Sequence, residues 1–470
     1  MSQSTADPFF IASIFLATVA VTASEVYAQE PTSYRMAISP RRAVIDQPVR
    51  ITISGLRPGE EVTLRGELQN YGGAVWQASA TFQADSQGVI NLSELAPIAG
   101  SYDSADPMGL FWSMTRVERA EYDEERTPQF SGVVQPGTPL LVTLRAEAEG
   151  RPTLSDTLER LFADSDVIRR PVHEEGLVGT LFVPSGSAPR PALLVPHGGS
   201  CGPPEHLAAL LATHGFVTLA LQYCGAEGLP ESTASVISLE YFETAITWLQ
   251  RREEVAADRV GVVGMSLGGL LGLLLGSRFP DIRAVVSVKG SGVNIFQFTY
   301  RGEPVPRLPR MRLAGTLRAA VISEQPAACR PGGAEEGWSC IDNTSVSVTR
   351  RLFQGLVDPG SLEQGVIPVE RINGPVLLVS GFGDLAWPST LYSEVAFRRL
   401  ESHEFPFPFE HLAYPGAGHR LGVPNLPRTD DRFGSRLLGG NPKDAAAANA
   451  AYWPRMVEFL REHLGNGSRD

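Results

Sequence analysis

The chain has 470 residues, 43% of them hydrophobic, which is more than one ordinary domain requires, so two packed cores are expected. Its formal charge of −12 comes without any run of basic residues, which leaves a phosphate backbone nothing to hold and excludes nucleic acid as a partner.

Residues 1–28 read as a secretory signal: an apolar run, Phe9 to Ala23, precedes Val26-Tyr27-Ala28, with cleavage after Ala28. Nothing basic precedes that run, and Asp7 has the wrong sign for the first region of a signal. The expectation is export to the periplasm or beyond. If the leader is not a signal, the protein stays in the cytoplasm. The run is short for a membrane span, which needs about 20 apolar residues. Later apolar stretches are broken by Gly and charges, so no stable membrane span is expected.

Residues 31–165 form the first expected domain. From Arg35 to Ala148 the segments "VRITIS", "EVTLRGEL", "AVWQASATFQA" and "LLVTLRAEA" alternate apolar and polar residues, separated by turn signals such as "RPGEE" and "ADSQG". Short alternating strands with frequent turns predict an antiparallel, immunoglobulin-like β-sandwich. No catalytic cluster lies in it, so a structural or substrate-shaping role is expected.

Residues 166–466 form the second. From Val178 the continuous apolar runs "GTLFVP", "ALLVPHGG", "FVTLALQY", "RVGVVG", "AVVSV", "PVLLVSG" and "HLAYPG" alternate with helical segments. Strands buried on both faces and joined by crossover helices predict a mainly parallel sheet, here of the α/β-hydrolase class. Residues 291–370 break that rhythm with many Pro, Gly and Arg residues and read as a lid insertion over the site. Cys329 and Cys340 flank a loop within it, while Cys201 and Cys224 each follow a strand run. The sequence leaves open whether these four form bridges or remain free thiols.

The stretch "VGVVGMSLGG" contains Gly264-Met265-Ser266-Leu267-Gly268 between a strand run and an apolar helix. Glycines flank a nucleophilic serine at such an elbow because a side chain there would clash with the strained turn. The plain alternative is a strand-to-helix turn with a capping serine. A serine hydroxyl needs a base, and the base needs an acid to orient it. In this fold the chain order is serine, acid, histidine, each at the C-terminal end of a strand. Asp384 follows "PVLLVSG" and His419 ends "YPGAGH", so these are the candidate acid and base. His403 falls in a polar linker and His411 within or before a strand run. His197, in "PHGGSCG", comes too early for the base and reads as a loop or core histidine. Acyl transfer also needs donors for an oxyanion. The backbone N–H of Leu267 is one candidate, and that of Gly199 or Ser200 the other. No Cys/His cluster has ligand spacing, so neither metal nor cofactor is expected. Oligomeric state is not legible.

Several stretches carry a resemblance to a known family. They are "DQPVRITISGLRPGEEVTLRGEL", "GSYDSADPMGLFWSM", "LVPHGGSCGPPEHLAALLATHGFVTLAL", "SLEYFETAITWL", "VGVVGMSLGG", "YRGE", "IPVERINGPVLLVSG", "DLAWPS" and "YPGAGH". In these the chain resembles the acyl-CoA thioesterases and bile acid-CoA:amino acid N-acyltransferases, over nearly everything after the leader. The resemblance implies a β-sandwich followed by an α/β hydrolase, with Ser266, Asp384 and His419 as the triad and a small-molecule acyl thioester as substrate. The acyltransferase branch carries cysteine at the nucleophile position, so serine here implies hydrolysis. Two departures, "PHGGSCG" in place of a Gly-rich run and Leu267 in place of a basic residue, touch the oxyanion loop. Because coenzyme A is a cytoplasmic currency, an exported carboxylic-ester hydrolase on the same scaffold is the alternative. An acyltransferase and a non-catalytic binding protein are the further ones.

Overall fold

In this computed structural model the described residues are 33–71, 73–117, 133–308, 364–429, 432–433 and 436–465. The expected signal segment, and most of the expected lid with Cys329 and Cys340, lie outside them.

Alternation along the first half builds a β-sandwich of immunoglobulin-like architecture. In Glu61–Gln69 and Val75–Gln83 every second residue is buried, and the two pair antiparallel along their whole length. The Asn70 side chain closes their turn by accepting the Ala74 N–H at 2.9 Å. Leu140–Glu147 and Leu154–Leu161 extend this sheet. Arg35–Ser39, Arg50–Ser54 and Ile90–Asn91 form the opposing one. Ile51 and Ile53 from one sheet share a core with Leu64, Trp76, Phe82 and Leu144 from the other. Each such fully buried side chain is worth about 1.5–3 kcal/mol. One pairing departs from the expected antiparallel pattern: Arg42–Val44 lies parallel to Leu154–Leu161. The leading strand switches sheets at Pro40, which lacks the N–H needed to continue a ladder.

The second half is an α/β hydrolase. Its eight-stranded sheet runs, in spatial order, Ile168–Val172, Val178–Val183, Val217–Gln222, Arg190–Pro196, Val255–Met265, Ile282–Val288, Val376–Gly381 and Phe409–Tyr414. The first two pairings are antiparallel and the rest parallel. Covered on both faces, Val376–Gly381 is buried at every position, as a parallel strand must be. Helix Leu267–Arg278 is buried from Leu267 through Gly276, consistent with a helix that is apolar all round.

Among the contacts that join the halves, two groups lie on segments named in the sequence or on a buried charge. Trp112 and Met114, in the "DPMGLFWSM" segment, accept hydrogen bonds from the Arg428 N–H at 2.9 Å and the Thr429 hydroxyl at 2.6 Å. Glu205, 3% exposed, accepts from Arg169, Thr180 and the backbone N–H of Val134. Among the described residues no helix is long and apolar enough to cross a membrane.

Candidate active site

Ser266 follows the strand Val255–Met265 and precedes the helix Leu267–Arg278. Its φ is +59°, a left-handed conformation that a serine adopts only where the surroundings enforce it. Its N–H is held by Val288 O at 2.9 Å, and its carbonyl accepts from Gly269 and Leu270. The flanking glycines are required by close approach: a Cβ on Gly264 would stand 1.9 Å from Gly268 O, and one on Gly268 would stand 2.5 Å from Pro196 O.

The structure brings Asp384 and His419 to this serine. His419 Nε2 lies 2.9 Å from Ser266 Oγ, and its Nδ1 lies 2.7 Å from Asp384 Oδ2. With Nδ1–H donating to the carboxylate, Nε2 is free to accept the serine proton; this tautomer is assigned from the partners. Asp384 is 2% exposed, and its Oδ1 accepts the N–H groups of Ala386 and Trp387 at 3.0 and 3.2 Å. Both loops lean on one segment, since Asp384 bridges to Gly439 and the His419 N–H donates to Leu438 O at 2.8 Å.

Lys289 and Trp387, neither singled out in the sequence, brace the histidine. Lys289 directly follows the strand Ile282–Val288, and its Nζ donates to His419 O at 2.8 Å. Burial above all, and then Arg428, pushes its pKa down to about 8, against the opposing pull of Asp384. Trp387 Nε1 donates to Lys289 O at 2.8 Å, and its ring meets His419 edge-on with centroids 6.1 Å apart. A lysine at the C-terminal end of a buried strand, where ligands approach such sheets, was a usable signal for Lys289.

The loop after Arg190–Pro196 forms the opposite wall. Gly198 packs on Ser266, since a Cβ there would stand 3.6 Å from Ser266 Cβ, while Gly199 and Ser200 are exposed at the rim. Leu267 N–H opens its helix and so has no partner one turn back. His197 is 1% exposed and stacks on Tyr223 at 3.6 Å. Burial lowers its pKa to about 4, so the ring is neutral near pH 7. Cys201 and Cys224 are joined in a disulfide, one of the pairings the sequence left open. With His197 they make the one grouping of metal-ligand types among the described residues, and there the sulfurs are bonded to each other.

The two histidines nearest His419 in the sequence have other work. His411 sits between Ser380 Oγ at 2.8 Å and Glu394 at 3.3 Å, and His403 caps the helix Ser389–Ser402 through Arg399 O.

Residues 46–174 match the family described as acyl-CoA thioester hydrolase/BAAT N-terminal region. Residues 237–466 match BAAT / acyl-CoA thioester hydrolase C terminal. A peroxisomal succinyl-coenzyme A thioesterase of Mus musculus is 31% identical over 440 residues, 90% of this chain and 95% of that protein. The chain belongs to this family. Acyl-coenzyme A thioesterase 1 of Homo sapiens is also 31% identical, over 90% of this chain and 95% of its own length. Mitochondrial acyl-coenzyme A thioesterase 2 of Homo sapiens matches at 31% over 90% of this chain and 83% of its own. Among solved structures, a dienelactone hydrolase-like phosphotriesterase from metagenomic libraries is similar at 18% identity, with a TM-score of 0.37. That match covers 64% of this chain and 100% of that one.

Proposed function

We propose that this member of the acyl-CoA thioester hydrolase family cleaves acyl-CoA-type thioesters to free acid and thiol through an acyl-enzyme on Ser266. The observation that carries the reading is the hydrogen-bonded line Ser266–His419–Asp384 at the C-terminal edge of the parallel sheet. In the first step His419 Nε2 takes the hydroxyl proton as Ser266 Oγ attacks the thioester carbonyl, and Asp384 stabilises the imidazolium. The thiol leaves with that proton. Water, deprotonated by the same nitrogen, then releases the acid.

The oxyanion is received by the Leu267 N–H, where the positive end of its helix dipole adds to the donor, and by an N–H of the Gly198–Ser200 stretch. Sandwich strands ending at Leu161 and hydrolase strands beginning at Ile168 support a division of the chain near residue 165.

A second reading, an exported carboxylic-ester hydrolase, is favoured by the Cys201–Cys224 disulfide, because such bonds persist in oxidising compartments. Acyl-CoAs and simple esters of the same acids, offered to the leaderless protein and to Ser266→Ala, separate the two. Free coenzyme A is followed chromatographically, so that protein thiols do not interfere. Turnover of thioesters far above the matched esters, lost in Ser266→Ala, supports the first reading. Higher ester turnover transfers it to the second, and coenzyme A release by Ser266→Ala at the wild-type rate rejects both.

A further inference from the structure

The loop that faces Ser266 is fastened at both ends to one short segment, Gln222–Cys224, at the C-terminal end of the neighbouring strand Val217–Gln222. At the near end, Tyr223 holds His197 from three directions. The rings stack 6° from parallel, the Tyr223 N–H donates to His197 Nε2 at 3.2 Å, and the Tyr223 hydroxyl donates to His197 O at 3.0 Å. His197 Nδ1–H then donates to Gly198 O at 2.6 Å. At the far end Cys201 is bonded to Cys224, with Cα atoms 5.1 Å apart. Gln222 Nε2 donates to both Cys201 O at 2.9 Å and Cys224 O at 3.0 Å. Between these anchors only Gly198, Gly199 and Ser200 remain, and the last two are exposed.

The far anchor is the weaker without its covalent bond. Cys201 holds φ +52°, a left-handed conformation costly for a residue with a side chain and kept only where the surroundings over-determine it. Gly198 and Gly199 in the loop, and Gly202 after Cys201, offer little resistance to a change of backbone conformation. An oxyanion donor contributes only if its N–H is aimed before the reaction begins.

We propose that the Cys201–Cys224 disulfide is a positioning element for this reaction: it holds the Gly198–Ser200 amides at the nucleophile, so that the oxidised protein is the competent form and the dithiol form is impaired. This rests on the reading of that loop as part of an oxyanion site. Reduction by a small dithiol is balanced: two electrons and two protons pass to the protein sulfurs, giving two thiols, while the reagent closes to a cyclic disulfide. The cysteine sulfurs take no part in the bonds made and broken at the substrate carbonyl. Their effect passes through the loop, so it falls on transition-state stabilisation and therefore on kcat, with KM little changed.

The test uses the whole leaderless protein, oxidised, dithiothreitol-reduced and reoxidised, with thiols at Cys201 and Cys224 counted by alkylation and peptide mass spectrometry. Each form is assayed for acid release from the best substrate of the thioester and ester panel, after removal of the reductant. Cys201→Ser/Cys224→Ser is run beside Cys329→Ser/Cys340→Ser. The expected result is a kcat lower by about 100-fold in the reduced protein and in the first pair, the size of losing one oxyanion donor. KM should be retained, reoxidation should restore the rate, and the second pair should match wild type. Unchanged kcat with Cys201 and Cys224 shown to be alkylated overturns the proposal. So does finding both thiols free in the active protein as purified. Loss of the circular dichroism spectrum on reduction also overturns it, because the bond would then serve the whole fold. If the oxidised wild type hydrolyses no substrate at all, the failure belongs to the functional reading, and the two failures are thereby distinguished.

Discussion

Replacing Gly268 by alanine probes how closely the helix after Ser266 and the facing loop must be spaced. A Cβ at this position stands 2.5 Å from Pro196 O and 3.0 Å from His197 O, both backbone atoms that no rotamer change can move. Restoring ordinary contact at about 3.4 Å requires the loop and helix to separate by about 0.9 Å. Within the helix itself the change is favourable, since alanine exceeds glycine by about 1 kcal/mol in propensity. Any loss therefore comes from the displaced loop. A misplacement of about 1 Å in a reacting constellation costs about 100-fold, equivalent to about 2.7 kcal/mol of barrier. The expected outcome is a folded protein whose kcat for thioester hydrolysis, measured by release of free thiol, falls about 100-fold. Gly202→Ala, whose added Cβ meets nothing within 4 Å, should keep the wild-type rate. A folded Gly268→Ala variant with wild-type kcat would refute the claim that this spacing matters.

Other consequences are equally open to measurement. Asp384→Asn leaves the shape of the site but supports the wrong histidine tautomer, so kcat should drop by about 10⁴-fold with the melting temperature nearly unchanged. Glu205→Ala strands the half-buried Arg169 and the Val134 N–H, and urea unfolding should show a loss of about 3–5 kcal/mol. In the sandwich, the hydrogen bond from Arg151 above all, with help from Arg57, holds the Glu60 carboxyl down at about 2. A carboxyl held below its unfolded value of 4.5 stabilises the fold above that pH and loses its contribution as pH falls towards 2. Glu60→Gln should flatten that acid limb of the stability profile, and an unchanged limb would remove the pair from the account.

Much of the architecture was legible because it follows from periodicity. The period-two runs became the sandwich strands, and the continuous apolar runs became strands of the hydrolase sheet, all in parallel pairings except "GTLFVP", which is antiparallel to both its neighbours. The strand Ile168–Val172 was not anticipated: "IRRPV" sits on a sheet edge, where two arginines and a proline are tolerated because one flank has no strand partner among the described residues. Ser266, Asp384 and His419 were named from loop position and chain order, and the structure brings them within hydrogen-bonding distance. Tyr223 and Trp387 escaped because their roles depend on contacts between distant segments. Tyr223 reads in sequence only as the end of an apolar run, and its importance appears once strand pairing sets Leu221 beside Pro196. The cysteine pairing escaped for the same reason, since spacing along the chain does not reveal which Cα atoms meet.

The most direct measurement is phosphonylation of the leaderless protein by a fluorophosphonate, mapped by peptide mass spectrometry and followed by assay of acyl-CoA hydrolysis. The expected result is one adduct per chain, on Ser266, formed more slowly in the presence of an acyl-CoA and accompanied by proportional loss of coenzyme A release. Full coenzyme A release from protein whose Ser266 is quantitatively phosphonylated would contradict the assignment of Ser266 as the nucleophile.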